Sequence, residues 1–283
     1  METKTINYEA VSEGISGWLK EAVNKAGLKG FVMGVSGGID SAVVSTLCAR
    51  TGLDLLVLEM PIHQTSAEVD RAQNHIQWLK DNYPNVSSLK IDLTEAYDKL
   101  YASYNSISDR PVTREQFDFS MANTRSRLRM TTLYFYAGIH KMLVAGTGNK
   151  VEDFGIGFYT KYGDGGVDLS PIGDLMKSEV YKLGRHLGVI EEILTAAPTD
   201  GLHSDGRTDE DQIGATYDEL EWAMKWTEGN TMIEQGVGSY YDDRDDASLT
   251  KREKEILEIY WSRHSQNLHK MTPIPVFSTD SFR

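Results

Sequence analysis

The sequence predicts an α/β fold in which one doubly wound, mainly parallel sheet is flanked by helices. Two observations predict it: short apolar segments alternate with helical patterns along the chain, and the segment at 55–58 is apolar at every position. Such a strand has no polar face, as expected when helices cover a parallel sheet on both sides.

The predicted elements follow one another in the order that a doubly wound sheet requires. They are strand 31–35, helix 41–51, strand 55–62, helix 66–80, strand 88–93 and a helix from Thr94. A long amphipathic helix at about 114–141 and an apolar strand at 142–145 come next. We interpret Tyr134, Phe135 and Tyr136 in the long helix as packing residues rather than as a base-stacking platform.

Composition and charge limit the class of protein. Of the 283 residues 40% are apolar, enough for a large core, and no run reaches the roughly 18 apolar residues of a membrane span. The formal net charge of −13 repels nucleic acid. Since the N-terminus lacks an export signal, we expect a cytoplasmic protein with neither a nucleic-acid nor a membrane partner. The single cysteine, Cys48, falls in an apolar helix, which predicts a buried thiol and excludes disulfides.

A glycine-rich loop joins the first strand to the first helix. It consists of Gly34, Val35, Ser36, Gly37, Gly38, Ile39, Asp40 and Ser41. Small residues at a helix N-terminus let an anion approach backbone N–H groups, which predicts a phosphate site. The spacing matches neither Gly-x-x-x-x-Gly-Lys-Ser/Thr nor Gly-x-Gly-x-x-Gly. An ordinary glycine turn with Ser41 as the helix cap is the alternative.

A second loop, Gly-Thr-Gly-Asn-Lys-Val-Glu at 146–152, follows the strand at 142–145. Ligands of open α/β sheets bind beyond the carboxyl ends of the strands, so we expect both loops to share one site. Asp40 and Glu152 are candidate Mg²⁺ ligands, because this ion prefers oxygen and takes its remaining ligands from phosphate and water. A capping Asp40 and a solvated Glu152 are the alternatives.

Residues 158–171 are rich in glycine and weakly periodic, but they contain one lysine and two aspartates. Such a segment is a functional loop or a linker, and its aromatic residues favour the loop. The helix that follows has Lys177 near its first turn, where a cation is poorly matched to the helix dipole. We therefore expect an anionic partner such as phosphate for Lys177.

Together these motifs resemble a known family. The Ser-Gly-Gly-x-Asp-Ser loop is similar to the pyrophosphate loop of the ATP pyrophosphatases, whose fold is Rossmann-like, of the adenine nucleotide alpha hydrolase type. With the second loop and Tyr-Thr-Lys-Tyr-Gly-Asp-Gly-Gly-x-Asp at 159–168, the chain closely resembles the ammonia-dependent NAD synthetases over nearly its whole length. The resemblance implies a single domain, residues 1–283, with a pyrophosphatase core at about 28–190 and a helical part with mobile loops at about 208–270.

The resemblance implies a two-step ligation. The carboxylate of deamido-NAD⁺ attacks the α-phosphate of ATP and releases pyrophosphate, and ammonia then displaces AMP to give NAD⁺. The family's helices imply a homodimer whose interface contributes to the dinucleotide site. Since Cys48 is no activated nucleophile and no length is left for an amidase domain, we expect free ammonia, or ammonia from a separate partner chain, as the nitrogen donor rather than glutamine.

The resemblance also assigns residues to these steps. ATP would contact the glycine loop, Thr147, Lys177 and Thr199, and Mg²⁺ would bind Asp40 and Glu152. Asp164 would receive ammonia and, with Lys177 and Thr147, would form the catalytic group. Deamido-NAD⁺ would contact Arg127, Lys161, Asp168, His269 and Lys270.

Other interpretations stay open from the residues alone. The chain could be another adenylating ATP pyrophosphatase, such as an RNA-modifying or amidating enzyme, or a nucleotide-binding regulatory module that is not an enzyme. The presence of Glu152, Asp164 and Lys177 together argues against the module. Taken singly, His269 is typical of a surface or core histidine, and Arg127 of an ion pair with an acidic neighbour.

Overall fold

The structure, a computed structural model, describes residues 6–106, 112–196, 208–230 and 248–279. Within these ranges the sheet has four parallel strands in the order β3-β2-β1-β4. The strands are β1 (Gly30–Gly34), β2 (Asp54–Glu59), β3 (Val86–Lys90) and β4 (Leu143–Val144). Phe31 in the inner strand β1 pairs with Leu55 on one side and with Leu143 on the other.

Helices connect and cover the strands, which confirms the predicted α/β fold with a parallel sheet. They are α1 (Tyr8–Ala26), α2 (Ile39–Arg50), α3 (Ser66–Asn82), α4 (Thr94–Asn105), α5 (Arg114–His140), α6 (Lys177–His186), α7 (Glu191–Leu194), α8 (Asp209–Ile213), α9 (Tyr217–Asn230) and α10 (Lys251–Met271). A π-helical turn, Lys150–Ile156, follows β4. No helix in the described ranges is both long and apolar enough to cross a membrane.

Some boundaries differ from the prediction. Strand β2 ends at Glu59 rather than at residue 62. The prediction was too long because Met60 and Ile62, which lie beyond the last strand pair, are buried in the core. Strand β3 ends at Lys90 rather than at residue 93. Apolar patterns report burial, and burial continues past the hydrogen-bonded ladder. The second loop is also shorter than expected, since its last residues, Lys150 to Glu152, belong to the π-helical turn.

Apolar clusters cover both faces of the sheet. Side chains alternate along β1, so Phe31 belongs to the cluster on one face and Val32 to the cluster on the other. The first cluster includes residues of α1, α2, α3 and α6, and the second includes residues of α4 and α5. Cys48 is fully buried in the first cluster, as predicted. Burial on both faces explains why β1 and β2 are apolar throughout.

A third cluster joins the C-terminal helices to the π-helical turn. Val151 and Ile156 of the turn are fully buried with Leu220 of α9 and with Ile256 and Leu257 of α10. Burying a large aliphatic side chain stabilises the fold by roughly 1.5–3 kcal/mol, so these contacts hold the turn firmly. The side chains of the turn that are not buried, such as Glu152, are therefore carried by a firmly packed element.

Candidate active site

A cavity of about 290 Å³ lies where the strands end. The loop after β1, the loop after β4, the start of α3 and part of α5 line it. The two glycine-containing loops thus face one site, which confirms the placement predicted from the strand ends. Of the predicted site residues, the wall contains Gly34, Val35, Ser36, Gly37, Gly38, Ile39, Asp40, Ser41, Thr147, Glu152, Asp164 and Lys177.

The glycine loop leaves the start of α2 without a side-chain cap. Gly38 occupies the N-cap position, and Ser41 Oγ donates to the Gly38 carbonyl at 3.0 Å from inside the helix. The alternative in which Ser41 caps an ordinary turn is therefore wrong. The first N–H groups of a helix have no partner within it. A phosphate in the cavity would meet these donors and the positive end of the helix dipole.

Gly37 lets the loop pass directly against α3. Its φ of +81° is a left-handed conformation that glycine adopts without strain. A Cβ at this position would lie 3.0 Å from the Ala72 nitrogen and 3.0 Å from the Glu68 carbonyl oxygen. The loop and α3 are therefore in backbone contact, which brings the first turns of α3 to the cavity.

Lys177 connects the two loops. Its Nζ donates to Asp40 Oδ2 at 2.6 Å and to Glu152 Oε1 at 2.9 Å, and its side chain is 4% exposed. The anionic partner expected for Lys177 is thus a pair of carboxylates from α2 and the π-helical turn. Because both carboxylates are more than four-fifths buried and bind Lys177, the interpretations of Asp40 as a cap and Glu152 as solvated are wrong.

Two side chains outside the predicted set hold these carboxylates in place. Asn149, fully buried, donates Nδ2 to Asp40 Oδ1 at 3.1 Å and accepts the backbone N–H of Glu152 on its own Oδ1. The Tyr217 hydroxyl donates to Glu152 Oε1 at 2.6 Å, and its ring centroid lies 4.8 Å from Lys177 Nζ. Asn149 lies in the second loop motif, but no local pattern marked Tyr217 as a contact of Glu152.

Burial and charge act against each other in this group. Burial raises the pKa of Asp40 above its ordinary value, and Lys177 only partly offsets the effect. Burial also favours protonation of Glu152, but Lys177 and the Tyr217 hydroxyl outweigh it and hold the pKa of Glu152 below its ordinary value. Burial disfavours the charged form of Lys177, yet Asp40 and Glu152 together raise its pKa. Lys177 is therefore a cation at neutral pH.

Asp164 occupies another part of the cavity wall. Its Oδ1 accepts hydrogen bonds from Ser126 Oγ at 2.6 Å and from the Thr160 backbone N–H at 3.0 Å. The Asp164 backbone N–H donates in turn to Ser126 Oγ at 2.9 Å. Although the residue is exposed to the cavity, the surrounding protein desolvates its carboxylate and raises the pKa of Asp164. The carboxylate is thus fixed in direction and faces the site.

The residues expected to contact deamido-NAD⁺ are not on the cavity wall. Lys161 Nζ donates to the His269 carbonyl at 2.6 Å, and Arg127 Nε donates to the Lys161 carbonyl at 3.2 Å. Lys270 Nζ donates to two main-chain carbonyls at 2.6 and 2.8 Å. Asp168 lies apart from these four and accepts the backbone N–H of β4 at 2.8 Å. Their role toward the dinucleotide stays a prediction, and Arg127 forms no ion pair with any described residue.

Sequence reasoning missed several ionisable residues of the cavity wall. They include Arg71, Asp153 and Asp209. Arg71 and Asp209 come from α3 and α8 and have no motif around them. Asp153 follows Glu152 on the π-helical turn, and burial and the Glu152 charge raise its pKa well above the ordinary value. Thr199, predicted to contact ATP, lies outside the described residues.

Comparison with known proteins decides the family. A profile of the NAD synthase family matches residues 11–255. The chain belongs to the NAD synthase family. It is accordingly an enzyme of the ligase class, and the resemblance drawn from its motifs is confirmed. The Rossmann-like fold expected from that resemblance is confirmed as well.

Relatives of this NAD synthase family member match most of its length. An NH(3)-dependent NAD(+) synthetase from Carboxydothermus hydrogenoformans is 38% identical over 229 residues, 81% of this chain and 90% of that protein. The structure of an NMN synthetase from Francisella tularensis has a TM-score of 0.77 and 30% identity, covering 97% of this chain and 100% of that one. An NH3-dependent NAD synthetase from Campylobacter jejuni has a TM-score of 0.72 and 25% identity, with coverages of 97% and 100%.

Proposed function

We propose that this member of the NAD synthase family is an ammonia-dependent ligase that converts deamido-NAD⁺ to NAD⁺ at the expense of ATP. One observation supports it most: the glycine loop and the group of Lys177, Asp40 and Glu152 share one cavity. In that arrangement the proposed phosphate site is beside paired carboxylates and a buried cation. The names of the curated relatives agree with it.

In the first step, an oxygen of the nicotinate carboxylate attacks the α-phosphorus of ATP, and the bond to the bridging oxygen of pyrophosphate breaks. Negative charge grows on the leaving pyrophosphate. The N–H groups at the start of α2 and the Lys177 ammonium lie where they stabilise that charge, and Thr147 adds a hydroxyl to the same wall. AMP stays joined to the carboxylate as an adenylate.

Asp40 and Glu152 fit a Mg²⁺ ion. Both are hard oxygen donors, and an oxygen of each lies within 2.9 Å of Lys177 Nζ, so they converge on one region. The described residues contain no group of three or more Asp, Glu, His or Cys side chains that could hold a metal. Phosphate and water oxygens would complete the coordination, as Mg²⁺ prefers. When bound, the ion would neutralise phosphate charge.

In the second step, ammonia attacks the acyl carbon, AMP leaves, and the nitrogen loses a proton. Asp164 is the carboxylate proposed for this step, because Ser126 and Thr160 fix it while its side chain faces the cavity. A carboxylate attracts ammonium, and a raised pKa makes it a better proton acceptor. Cys48 is fully buried and burial raises the pKa of its thiol, so it offers no nucleophile for glutamine.

The test is NAD⁺ formation by purified protein from deamido-NAD⁺, ATP, MgCl₂ and ammonium chloride, with AMP and pyrophosphate followed in the same tube. We expect equal yields of the three products, none with glutamine as sole donor, and loss of turnover in a folded Asp40→Ala variant. Pyrophosphate release with only another acceptor would show that the substrate is wrong. An active, Mg²⁺-dependent Asp40→Ala variant would refute the metal assignment.

The role of Asp164 is tested by Asp164→Asn, which keeps an acceptor for Ser126 and Thr160 but removes the charge. We expect the KM for ammonium to rise at least about tenfold, because the attraction for the cation is lost, while the KM for ATP stays unchanged. Ser126→Ala is the matched control that keeps the charge and loosens the side chain. Unaltered ammonium kinetics in Asp164→Asn would show that the assignment is wrong.

We also propose a homodimer that uses α5. Phe135 and Ile139 lie one helical turn apart and are 60% and 59% exposed, whereas Tyr136 packs in the core. Phe135 is therefore not a packing residue within its own chain, and exposed apolar side chains on one face indicate an interaction surface. In analytical ultracentrifugation, Phe135→Glu should shift a dimer to a monomer, and Trp18→Glu on α1 should not. A monomeric wild-type protein would contradict the dimer.

A second candidate reaction is amidation of nicotinate mononucleotide. The observation that favours it is the solved structure of an NMN synthetase, which matches this chain at 30% identity over 97% of its length. Both reactions need the same ATP cavity and the same ammonia step and differ only in the acceptor. Comparing kcat/KM for deamido-NAD⁺ and nicotinate mononucleotide decides between them.

A further inference from the structure

Arg71 is a cation on the cavity wall beside the glycine loop. No sequence motif indicated a role for it. It lies on α3, and its side chain lines the cavity. A Cβ added at Gly37 would lie 3.2 Å from the Cβ of Arg71. The arginine therefore stands directly beside the glycine loop.

The guanidinium of Arg71 has no partner among the described residues. Its Nε is buried and makes no hydrogen bond. The acidic neighbour one turn earlier, Glu68, is already engaged, because its carboxylate caps α3 through the Thr65 N–H and hydroxyl. A buried donor without a partner costs free energy, so an arginine in this state indicates a missing ligand.

The other cations of the cavity wall differ from Arg71 in this respect. Lys177 is bound by two carboxylates at 2.6 and 2.9 Å. Arg129 Nε donates to the Met60 carbonyl at 3.2 Å. Within the described part of the cavity wall, Arg71 is thus the basic side chain left for an anion that enters from outside.

We propose that Arg71 binds the pyrophosphate portion of ATP, which leaves in the first step; this rests on the proposed function. The planar guanidinium matches two phosphate oxygens at once, and its charge does not depend on pH near neutrality. The Cβ of Arg71 lies beside Gly37, and Arg71 lines the same cavity as the loop. Arg71 thereby adds positive charge where the leaving group gains negative charge.

The experiment is isothermal titration of the full chain with inorganic pyrophosphate and with AMP, both in MgCl₂. In Arg71→Gln, which keeps the aliphatic stem, we expect the affinity for pyrophosphate to fall at least about tenfold, the usual loss for a hydrogen bond to a charged group. The affinity for AMP should stay within about twofold of wild type on the same scale. Lys80→Gln, at an exposed position of the same helix, is the matched control and should change neither affinity.

Two results would overturn the proposal: an unchanged pyrophosphate affinity in Arg71→Gln, or an equal loss of AMP and pyrophosphate binding. If Arg71→Gln does not fold, Arg71→Lys is the test, because lysine keeps the charge but lacks the planar guanidinium that binds two oxygens at once. This variant must still lower the affinity for pyrophosphate more than the affinity for AMP. The same experiments distinguish a failure of this proposal from a failure of the proposed function. A wild-type protein that forms no NAD⁺ but whose Arg71→Gln variant selectively loses pyrophosphate would leave this inference standing.

Discussion

The two ends of the predicted active site are built differently. At the phosphate end, charged side chains from three elements face one another, with Lys177 Nζ 2.6 Å from Asp40 and 2.9 Å from Glu152. At the end predicted to bind the dinucleotide, Lys161 and Lys270 donate to main-chain carbonyls instead. Neither of these two lysines forms an ion pair with a described residue.

The difference indicates what each end requires. Charges at the phosphate end are buried and are tolerated because they are paired. At the predicted dinucleotide end, Lys161 and Lys270 bind neutral carbonyls rather than carboxylates, which leaves both cations available to an anionic ligand such as the pyrophosphate of a dinucleotide. Substitutions at the phosphate end should therefore lower both turnover and stability, whereas those at the predicted dinucleotide end should weaken substrate binding.

The largest effect is expected from Lys177→Met. It leaves two buried carboxylates without their cation, so we expect turnover to fall at least about 100-fold and the free energy of unfolding to fall by about 3 kcal/mol. Steady-state kinetics and urea unfolding measure the two effects. Lys182→Met, exposed on the same helix, is the control. A Lys177→Met variant with wild-type turnover would show that the phosphate end does not depend on this cation.

Lys270→Met tests the dinucleotide end. We expect the KM for deamido-NAD⁺ to rise about tenfold, because one charge-assisted contact is lost, while the KM for ATP and the stability change little. Lys251→Met, at the exposed start of α10, controls for the loss of a positive charge. An equal rise in the KM for ATP would show that the two ends are not separate.

His75 makes the stability of the fold sensitive to acid. It is fully buried, and its Nε2 lies 2.9 Å from Ser45 Oγ on α2. Burial lowers the pKa of His75 to about 4. On acidification His75 therefore becomes protonated at a higher pH in the unfolded state than in the folded state. The free energy of unfolding falls as pH falls from about 6.5 to 4, by on the order of 3 kcal/mol. Unfolding in urea across this range should show the loss in wild type and not in His75→Gln, and a loss that persists in the variant would assign it to another group.

The smallest effect is expected in the C-terminal helices. Hydrogen bonds from Arg252 hold the pKa of Glu219 at about 2, so the pair's contribution is present above about pH 4.5 and is lost as pH falls toward 2. Arg252 is half exposed, and water screens such a pair, so Glu219→Gln should lower stability at pH 7 by no more than about 1 kcal/mol. Urea unfolding measures this loss of stability. A loss as large as that of Lys177→Met would contradict the expectation that the exposed pair contributes less than the buried group.

Local patterns were sufficient for most of the sheet and insufficient at its margins. Strand β1 is apolar because it is buried on both faces, and this signal is present in the sequence. The same signal misplaced the end of β2, since Ile62 is buried without being in the sheet. Helix α1 lies before the first predicted element, although Leu19 and Val23 continue an apolar repeat of every fourth residue that is typical of a helix with one buried face.

By itself the sequence determined the α/β fold, the glycine loop at the start of α2 and the carboxylates that follow two strands, because a parallel sheet brings such loops to one edge. Only the tertiary structure decided that Lys177 pairs with both carboxylates and that Tyr217 reaches Glu152 from 65 residues further along the chain. It also decided that the buried Nε of Arg71 makes no hydrogen bond to any described residue. These features depend on distances between side chains that are remote in the sequence, and no local periodicity or spacing encodes such distances.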